Sequence, residues 1–374
     1  MIADVFLSQG VLRRAGQSRS FLRMARLLIS SALLIALLGV PAAAAAQSDA
    51  RENGVGSTVA RVDAALLADV YARAAGLPRL RSLLVSQKGR LVREQYFHGA
   101  RRATRTNIKS ASKSIISALV GVAVRDGKLR LEQRVGEFFP QYVRPPADPR
   151  ARDVTIGELL TMRAGLQSTS FDNYGRWVTS SNWVRFVLTR PFEAPPGGPM
   201  IYSTGSTHVL SAILTKATGM STREYANRQL GRPLGIIFPR WRTDPQGIYF
   251  GGNDMYLTPR EMLAFGELYL SGGRARGRQV LPRAWIDSTM VSRTRSGWSG
   301  HEYGYGWWLR DAAGHRVSFA WGYGGQFIFV VPDLELVVVA TSDANVRSRG
   351  GGHLDEVHAL LDEIVSKVGA ARVD

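Results

Sequence analysis

Ser110 and Lys113 stand three residues apart at the mouth of a long apolar run, Ile115-Ile116-Ser117-Ala118-Leu119-Val120-Gly121-Val122-Ala123-Val124. On a helix that spacing puts a hydroxyl and an amine one turn apart on the same face, close enough for the amine to take the hydroxyl's proton. The helix amino terminus then favours the oxyanion that follows. A serine is a weak nucleophile until a neighbour accepts its proton, and a lysine becomes that neighbour only when burial or nearby positive charge lowers its pKa. The second turn of an apolar helix supplies the burial. Six lysines give on the order of 0.4 Ser-x-x-Lys pairs by chance, so the pair draws its weight from the helix mouth and from two further motifs.

The first of these, Tyr202-Ser203-Thr204-Gly205, follows the rigid loop Pro195-Pro196-Gly197-Gly198-Pro199 and precedes a helix, which places a phenol at an element boundary. A phenolate beside an ammonium makes a good base, although in a chain with 12 tyrosines packing is the commoner role for any one of them. The second, Trp321-Gly322-Tyr323-Gly324-Gly325-Gln326, runs into a strand over Phe327 to Val331. Glycines leading into an edge strand let a substrate approach the backbone, where N–H groups hold a developing oxyanion. The same glycines fit a β-bulge equally well.

Other constellations fail. There is no Gly-x-Ser-x-Gly elbow, no Gly-x-x-x-x-Gly-Lys and no His-Glu-x-x-His. His353 and His358 are five apart, about 140° round a helix, and would not share a metal. His208, six residues after Tyr202, lies within reach of the cleft edge, with core packing the favoured reading. No metal and no organic cofactor is implied.

These residues need elements to carry them. Asp63 to Ala75 reads as an amphipathic helix, followed by strands over Ser82 to Ser86 and Leu91 to Phe97 that turn at Lys88-Gly89. The Ser110 helix ends near Asp126-Gly127. From there to about residue 295 the signals are mainly helical: capping boxes at Thr155 and Thr258, then helices over Ser206 to Thr218, Ser221 to Gln229 and Pro282 to Met290. Strands return over Tyr305 to Leu309, Arg316 to Ala320, Gln326 to Val331 and Glu335 to Ala340. A 3.6-residue stripe, Leu354, Val357, Leu360, Leu361, Ile364, Val365 and Val368, closes the chain. The expected fold is α+β, an antiparallel β-sheet flanked by N- and C-terminal helices, with an inserted mainly helical lobe. One catalytic domain over 47–374 then has an α/β lobe, about 55–130 and 300–374, and a helical lobe, about 131–299, with the Ser110 helix opening between them.

The 374 residues, 45% apolar, suffice for a large core. Leu27 to Val40 is apolar, lies behind Arg23 and Arg26 and precedes Pro41-Ala42-Ala43-Ala44-Ala45-Ala46, the layout of a signal peptide over 1–46 cut after Ala46. A start at Met24 would give the usual shorter leader. The run is too short to span a bilayer, so a secreted or periplasmic protein without stable membrane insertion is expected. With no cysteine there are no disulfides, no thiol nucleophile and no lipid-bearing cysteine at the cleavage point. Five arginines and one aspartate leave with the signal, taking the formal charge from +18 to +14. The basic residues are spread without blocks, which fits compositional bias better than nucleic-acid binding.

Taken together, Ser110-x-x-Lys113, Thr155-Ile156-Gly157-Glu158-Leu159-Leu160-Thr161-Met162-Arg163-Ala164-Gly165-Leu166, Tyr202-Ser203-Thr204, Leu257-Thr258-Pro259-Arg260, Tyr303-Gly304-Tyr305-Gly306-Trp307-Trp308 and Gly322-Tyr323-Gly324-Gly325-Gln326 resemble the serine hydrolases related to class C β-lactamases. That group includes DD-peptidases, family VIII-type esterases and 6-aminohexanoate-dimer hydrolases, and the resemblance covers roughly residues 60 to 368. It implies a β-lactamase/DD-peptidase-like fold with Ser110 as nucleophile, Lys113 and Tyr202 sharing the general-base role, and the N–H groups of Ser110 and Tyr323 as oxyanion hole. Thr204, Trp321, Gly322 and Gly324 become the candidate substrate contacts. Two departures bear on substrate. Trp321-Gly322-Tyr323 replaces the Lys-Thr-Gly of lactam-binding relatives, and Tyr202-Ser203-Thr204 replaces Tyr-x-Asn. Both favour a small-molecule ester or simple amide. A β-lactamase or DD-peptidase-type cell-wall enzyme, or a slowly acylated binding or sensor protein, is the alternative. Trp177, Trp183, Trp298 and Trp308 are candidates for an aromatic wall, with core packing expected for most of them.

Overall fold

The computed structural model describes residues 62–345 and 352–371; the expected leader over 1–46 and its cleavage point lie outside the described residues. We number the strands of the main sheet β1 (Leu80–Gln87), β2 (Arg90–Tyr96), β3 (Thr294–Arg295), β4 (Glu302–Tyr303), β5 (Trp308–Ala312), β6 (His315–Gly322), β7 (Gln326–Val331) and β8 (Leu336–Ser342). They form one sheet in the order β2-β1-β8-β7-β6-β5-β4-β3, antiparallel at every step. Strands from the two ends of the sequence meet where Leu83 pairs with Ala340 and Val85 with Val338.

The sheet is covered on both faces, which is why β7 and β8 are apolar along almost their whole length instead of alternating. On one face Phe327, Phe329 and Val338 pack with Leu67, Tyr71, Val357, Leu361 and Ile364, from the segment around helix α1 (Ala68–Ala75) and from the last helix (Gly352–Ala370). Residues one position along, Ile328, Val330, Val337 and Val339, point the other way into the larger core. Asp63 caps the segment leading into α1, its carboxylate accepting from the Ala65 N–H at 3.3 Å, so the helix begins where its capping residue stands.

The second face receives α2 (Ser112–Arg125) and α4 (Pro259–Leu270), with α3 (Thr204–Thr218) packed on α2; counting these after α1, the last helix is α5. Expectation and structure differ at three places here. Helix α4, assigned by sequence to the inserted helical lobe, packs directly on β1, β7 and β8 because its Met262, Phe265 and Gly266 face turns to the sheet. The strand expected from Tyr305 starts only at Trp308: the Tyr305 and Gly306 carbonyls are taken by the Ser117 and Ser114 hydroxyls of α2, at 2.7 and 2.6 Å. And β7, the strand expected as an edge behind the glycines, is interior to the sheet, between β6 and β8, as is β6 itself. The pairing of β6 with β5 stops at Phe319, so only the stretch Ala320–Gly322 is open on that side.

Candidate active site

Ser110 sits in a 3-10 turn, Lys109–Ala111, that runs straight into α2. The turn is pinned from three directions. The Lys109 N–H donates to Asn107 Oδ1 at 2.9 Å, Asn107 Nδ2 donates to Asp254 Oδ1 at 2.8 Å, and Ser112 Oγ donates to the Lys109 carbonyl at 2.8 Å. Lys109 itself is left-handed, φ +50°, a conformation that costs a non-glycine residue energy and gives the chain a sharp corner just before the serine.

One turn on, Lys113 is buried, 3% exposed, with its Nζ 3.0 Å from Ser110 Oγ, 3.2 Å from Thr204 Oγ1 and 2.9 Å from the Gly252 carbonyl. Among the described residues it has no carboxylate partner, so burial acts unopposed and brings its pKa down to about 7. Gly252 reaches this close only as glycine: at φ +100° a Cβ there would lie 3.1 Å from Lys113 Cγ.

Tyr202 joins the pair at the amino end of α3, its ring centroid 5.1 Å from Lys113 Nζ and its other side stacked on Trp308 at 5.7 Å. Burial pushes the phenol up to about 12, with its interaction with Ser110 pulling weakly the other way. The expected phenolate is therefore disfavoured near neutral pH, and of the two groups it is Lys113 whose pKa burial brings near neutrality. Thr204, expected to meet substrate, is instead 4% exposed and bonded to Lys113 and to Ser170 Oγ at 2.9 Å; it shapes the lysine's surroundings.

The third motif arrives from β6. A Cβ on Gly322 would meet the Ile108 carbonyl at 2.1 Å, so the strand end is pressed onto the backbone two residues before Ser110, and Tyr323-Gly324-Gly325 turns beside it. No turn, loop or cap hydrogen bond among the described residues takes up the Ser110 or the Tyr323 N–H. Gly324 and Gly325 both have positive φ, and Gln326 anchors the turn, its side-chain amide donating to the Ser342 carbonyl at 2.6 Å and accepting from the Ser342 N–H at 3.3 Å. Gly322→Ala should separate strand end from nucleophile turn. A displacement near 1 Å costs about 100-fold in rate and the overpacking about 1–3 kcal/mol. Initial rates and thermal unfolding of the variant test this, and wild-type behaviour in both would refute the close approach.

Of the tryptophans expected as a wall, Trp298 and Trp308 gather round Tyr202, at 6.3 and 5.7 Å, with 5.7 Å between them; Trp321, expected as a substrate contact, packs behind them, 5.3 Å from Trp298 and 5.5 Å from Trp308. Trp177 and Trp183 do not join them. They are core residues packed on His208 and Phe250. His208 is likewise away from the cleft surface, fully buried with Nε2 3.1 Å from Asp244 Oδ2. His353 and His358 have separate partners, Ser342 Oγ at 2.9 Å and a cage of Phe319, Phe327 and Phe329. Phe171 and Gly252 escaped sequence reading: neither belongs to a motif, and only the folded chain brings them to Tyr202 and Lys113.

A family model described as Beta-lactamase matches residues 81–362. The chain is 24% identical over 315 residues to the 6-aminohexanoate-dimer hydrolase of Paenarthrobacter ureafaciens, an alignment spanning 76% of this chain and 79% of that one. Two solved structures share the fold: EstCE1, a hydrolase with promiscuous acyltransferase activity, with TM-score 0.66, 18% identity and coverage of 80% of this chain and 98% of that chain; and the octameric penicillin-binding protein homologue from Pyrococcus abyssi, with TM-score 0.62, 19% identity and coverage of 79% and 76%.

Proposed function

Since this chain belongs to the β-lactamase family of serine hydrolases, which act on amides or esters, we propose that it cleaves an ester or a simple amide through an acyl-enzyme formed on Ser110. The observation that carries the proposal is the 3.0 Å contact between Lys113 Nζ and Ser110 Oγ in a setting where burial alone brings the amine's pKa down to about 7. Neutral Lys113 takes the Ser110 proton as Oγ attacks the carbonyl carbon. The carbonyl oxygen becomes an oxyanion between the Ser110 and Tyr323 N–H groups. As the tetrahedral intermediate collapses, the proton passes through the Tyr202 hydroxyl to the leaving oxygen or nitrogen. Water then attacks the acyl carbon by the same route in reverse, freeing Ser110.

Tyr202 in this scheme relays a proton it holds at neutral pH, consistent with a pKa raised to about 12. Tyr202→Phe removes the relay and keeps the ring stacked on Trp308. We expect kcat to fall about 10²–10⁴-fold with KM little changed; a kcat within twofold of wild type would remove Tyr202 from the reaction. The substrate reading follows from Trp321-Gly322-Tyr323, which sets no cation or hydroxyl on β6 for a lactam carboxylate. Initial rates on a short p-nitrophenyl ester, an anilide and a chromogenic cephalosporin test it, with preferential opening of the cephalosporin the result that refutes it. We further propose export with cleavage after Ala46, which amino-terminal sequencing of the mature protein decides.

A further inference from the structure

Three of the six large apolar side chains exposed among the described residues belong to the site: Phe171 at 67%, Trp298 at 55% and Tyr323 at 53%. Single exposed hydrophobics need no explanation, but Phe171 and Trp298 touch. Their ring centroids are 6.3 Å apart with planes at 80°, and each centroid is also 6.3 Å from that of Tyr202. Two rings at right angles over a third leave a concave corner, and its floor is the ring 5.1 Å from Lys113 Nζ.

Both walls are held out toward solvent, Phe171 at an energetic cost. Phe171 has φ +52°, a strained conformation for a bulky residue. Its segment is fastened around it. Ser168 Oγ donates to the Tyr202 carbonyl at 2.7 Å, the Ser170 N–H donates to Ser168 Oγ at 3.0 Å, Thr204 N–H donates to Ser170 Oγ at 2.9 Å, and Asn173 Nδ2 donates to the Ser168 carbonyl at 2.9 Å. The segment is thus locked to Tyr202 and Thr204 while the phenyl ring is turned outward. Trp298 rides at the tip of the hairpin between β3 and β4, where the Ser296 N–H donates to the His301 carbonyl at 2.9 Å and the Gly300 N–H to the Ser296 carbonyl at 3.0 Å. An ordinary surface sheds large apolar groups or folds them under; here the backbone is constrained to present them one ring away from the nucleophile.

We propose that Phe171 and Trp298 are the walls of a subsite for a flat aryl group carried by the substrate, in its acyl part or in its alcohol or amine part. This rests on Ser110 being the nucleophile. A planar ring seated in the corner lies face-on to one wall and edge-on to the other, the two arrangements aromatic pairs prefer. The high positive charge of the chain opposes an alkylammonium occupant, the other group that aromatic faces attract.

The test compares kcat/KM for ethyl acetate, ethyl phenylacetate and phenyl acetate, with acetylcholine as the cationic ester. We expect at least about tenfold preference for one aryl ester over ethyl acetate after correction for leaving-group reactivity, and which one identifies the occupied side. Phe171→Ala and Trp298→Ala should each lower that ratio about threefold to tenfold, whereas Ile237→Ala, an exposed apolar residue elsewhere, should not. Absence of the preference, its retention in both variants, or a preference for acetylcholine would overturn the subsite. Calorimetric titration of ethyl phenylacetate and of phenyl acetate into the Ser110→Ala protein requires no turnover: saturable binding of either, weakened by Phe171→Ala, supports the subsite even if every ester is inert, which would then count against the hydrolytic reading alone, and binding of neither overturns it.

Discussion

Ser110→Ala is expected to lower kcat by at least about 10⁴-fold on any ester that the wild-type chain turns over, with stability changed by less than about 1 kcal/mol. The loss is large because the substitution removes the atom that forms the acyl bond, and neither Lys113 nor Tyr202 replaces it. Whatever rate survives comes from binding and from oxyanion donors that do not need the hydroxyl. Stability is spared for a separate reason. Ser110 is half-buried, so no closed cavity forms, and Lys113 Nζ keeps its contacts to Thr204 Oγ1 at 3.2 Å and the Gly252 carbonyl at 2.9 Å. Intact-protein mass spectrometry on a slow ester adds a second readout: wild-type protein should gain the mass of the acyl group and the variant should not. Turnover by the variant at the wild-type rate would end the covalent account.

The parts of this molecule that sequence reveals are those governed by neighbours along the chain. Strand β7 begins at Gln326 and ends at Val331, as its apolar run between the glycines and Pro332 requires. Thr155 and Thr258 cap their helices through reciprocal bonds with Glu158 and Glu261, because a capping box is a matter of three residues. Ser110 and Lys113 are legible for the same reason. What is not legible depends on contacts between distant segments. Thr204 reads as a cleft residue until Ser170 and Lys113 close over it. The carbonyl of Gly252, 139 residues beyond Lys113, has no local mark at all. Tyr305 looks like a strand start until α2 claims its carbonyl, and the left-handed backbone of Phe171 contradicts the local preference of an aromatic residue, as functional positions are free to do when surrounding bonds overrule that preference.

Lys113→Met is the substitution expected to move activity and stability in opposite directions. Activity should fall about 10³-fold, the scale of losing a positioned general base, since methionine fills the same channel without a nitrogen. In the wild type, kcat/KM should rise about tenfold per pH unit up to a midpoint near 7, where the amine loses its proton, and then level off. Tyr202, with its pKa near 12, adds no descending limb in the range where the protein is handled. The variant should lose the ascending limb along with the rate. For stability the sign runs the other way. The folded-state value, about 7, lies below the ordinary lysine value of 10.5, so between them the unfolded chain binds the extra proton and wild-type stability increases with pH. Below pH 7 the penalty of burying the ammonium is fully present, at most about 5 kcal/mol by the size of the shift. Lys113→Met removes that penalty, so its advantage in urea unfolding should be greatest at pH 6 and shrink toward pH 10. A variant less stable than wild type at pH 6 would mean that the bonds to Ser110, Thr204 and Gly252 outweigh desolvation, and that Lys113 is held charged, unfit to serve as the base.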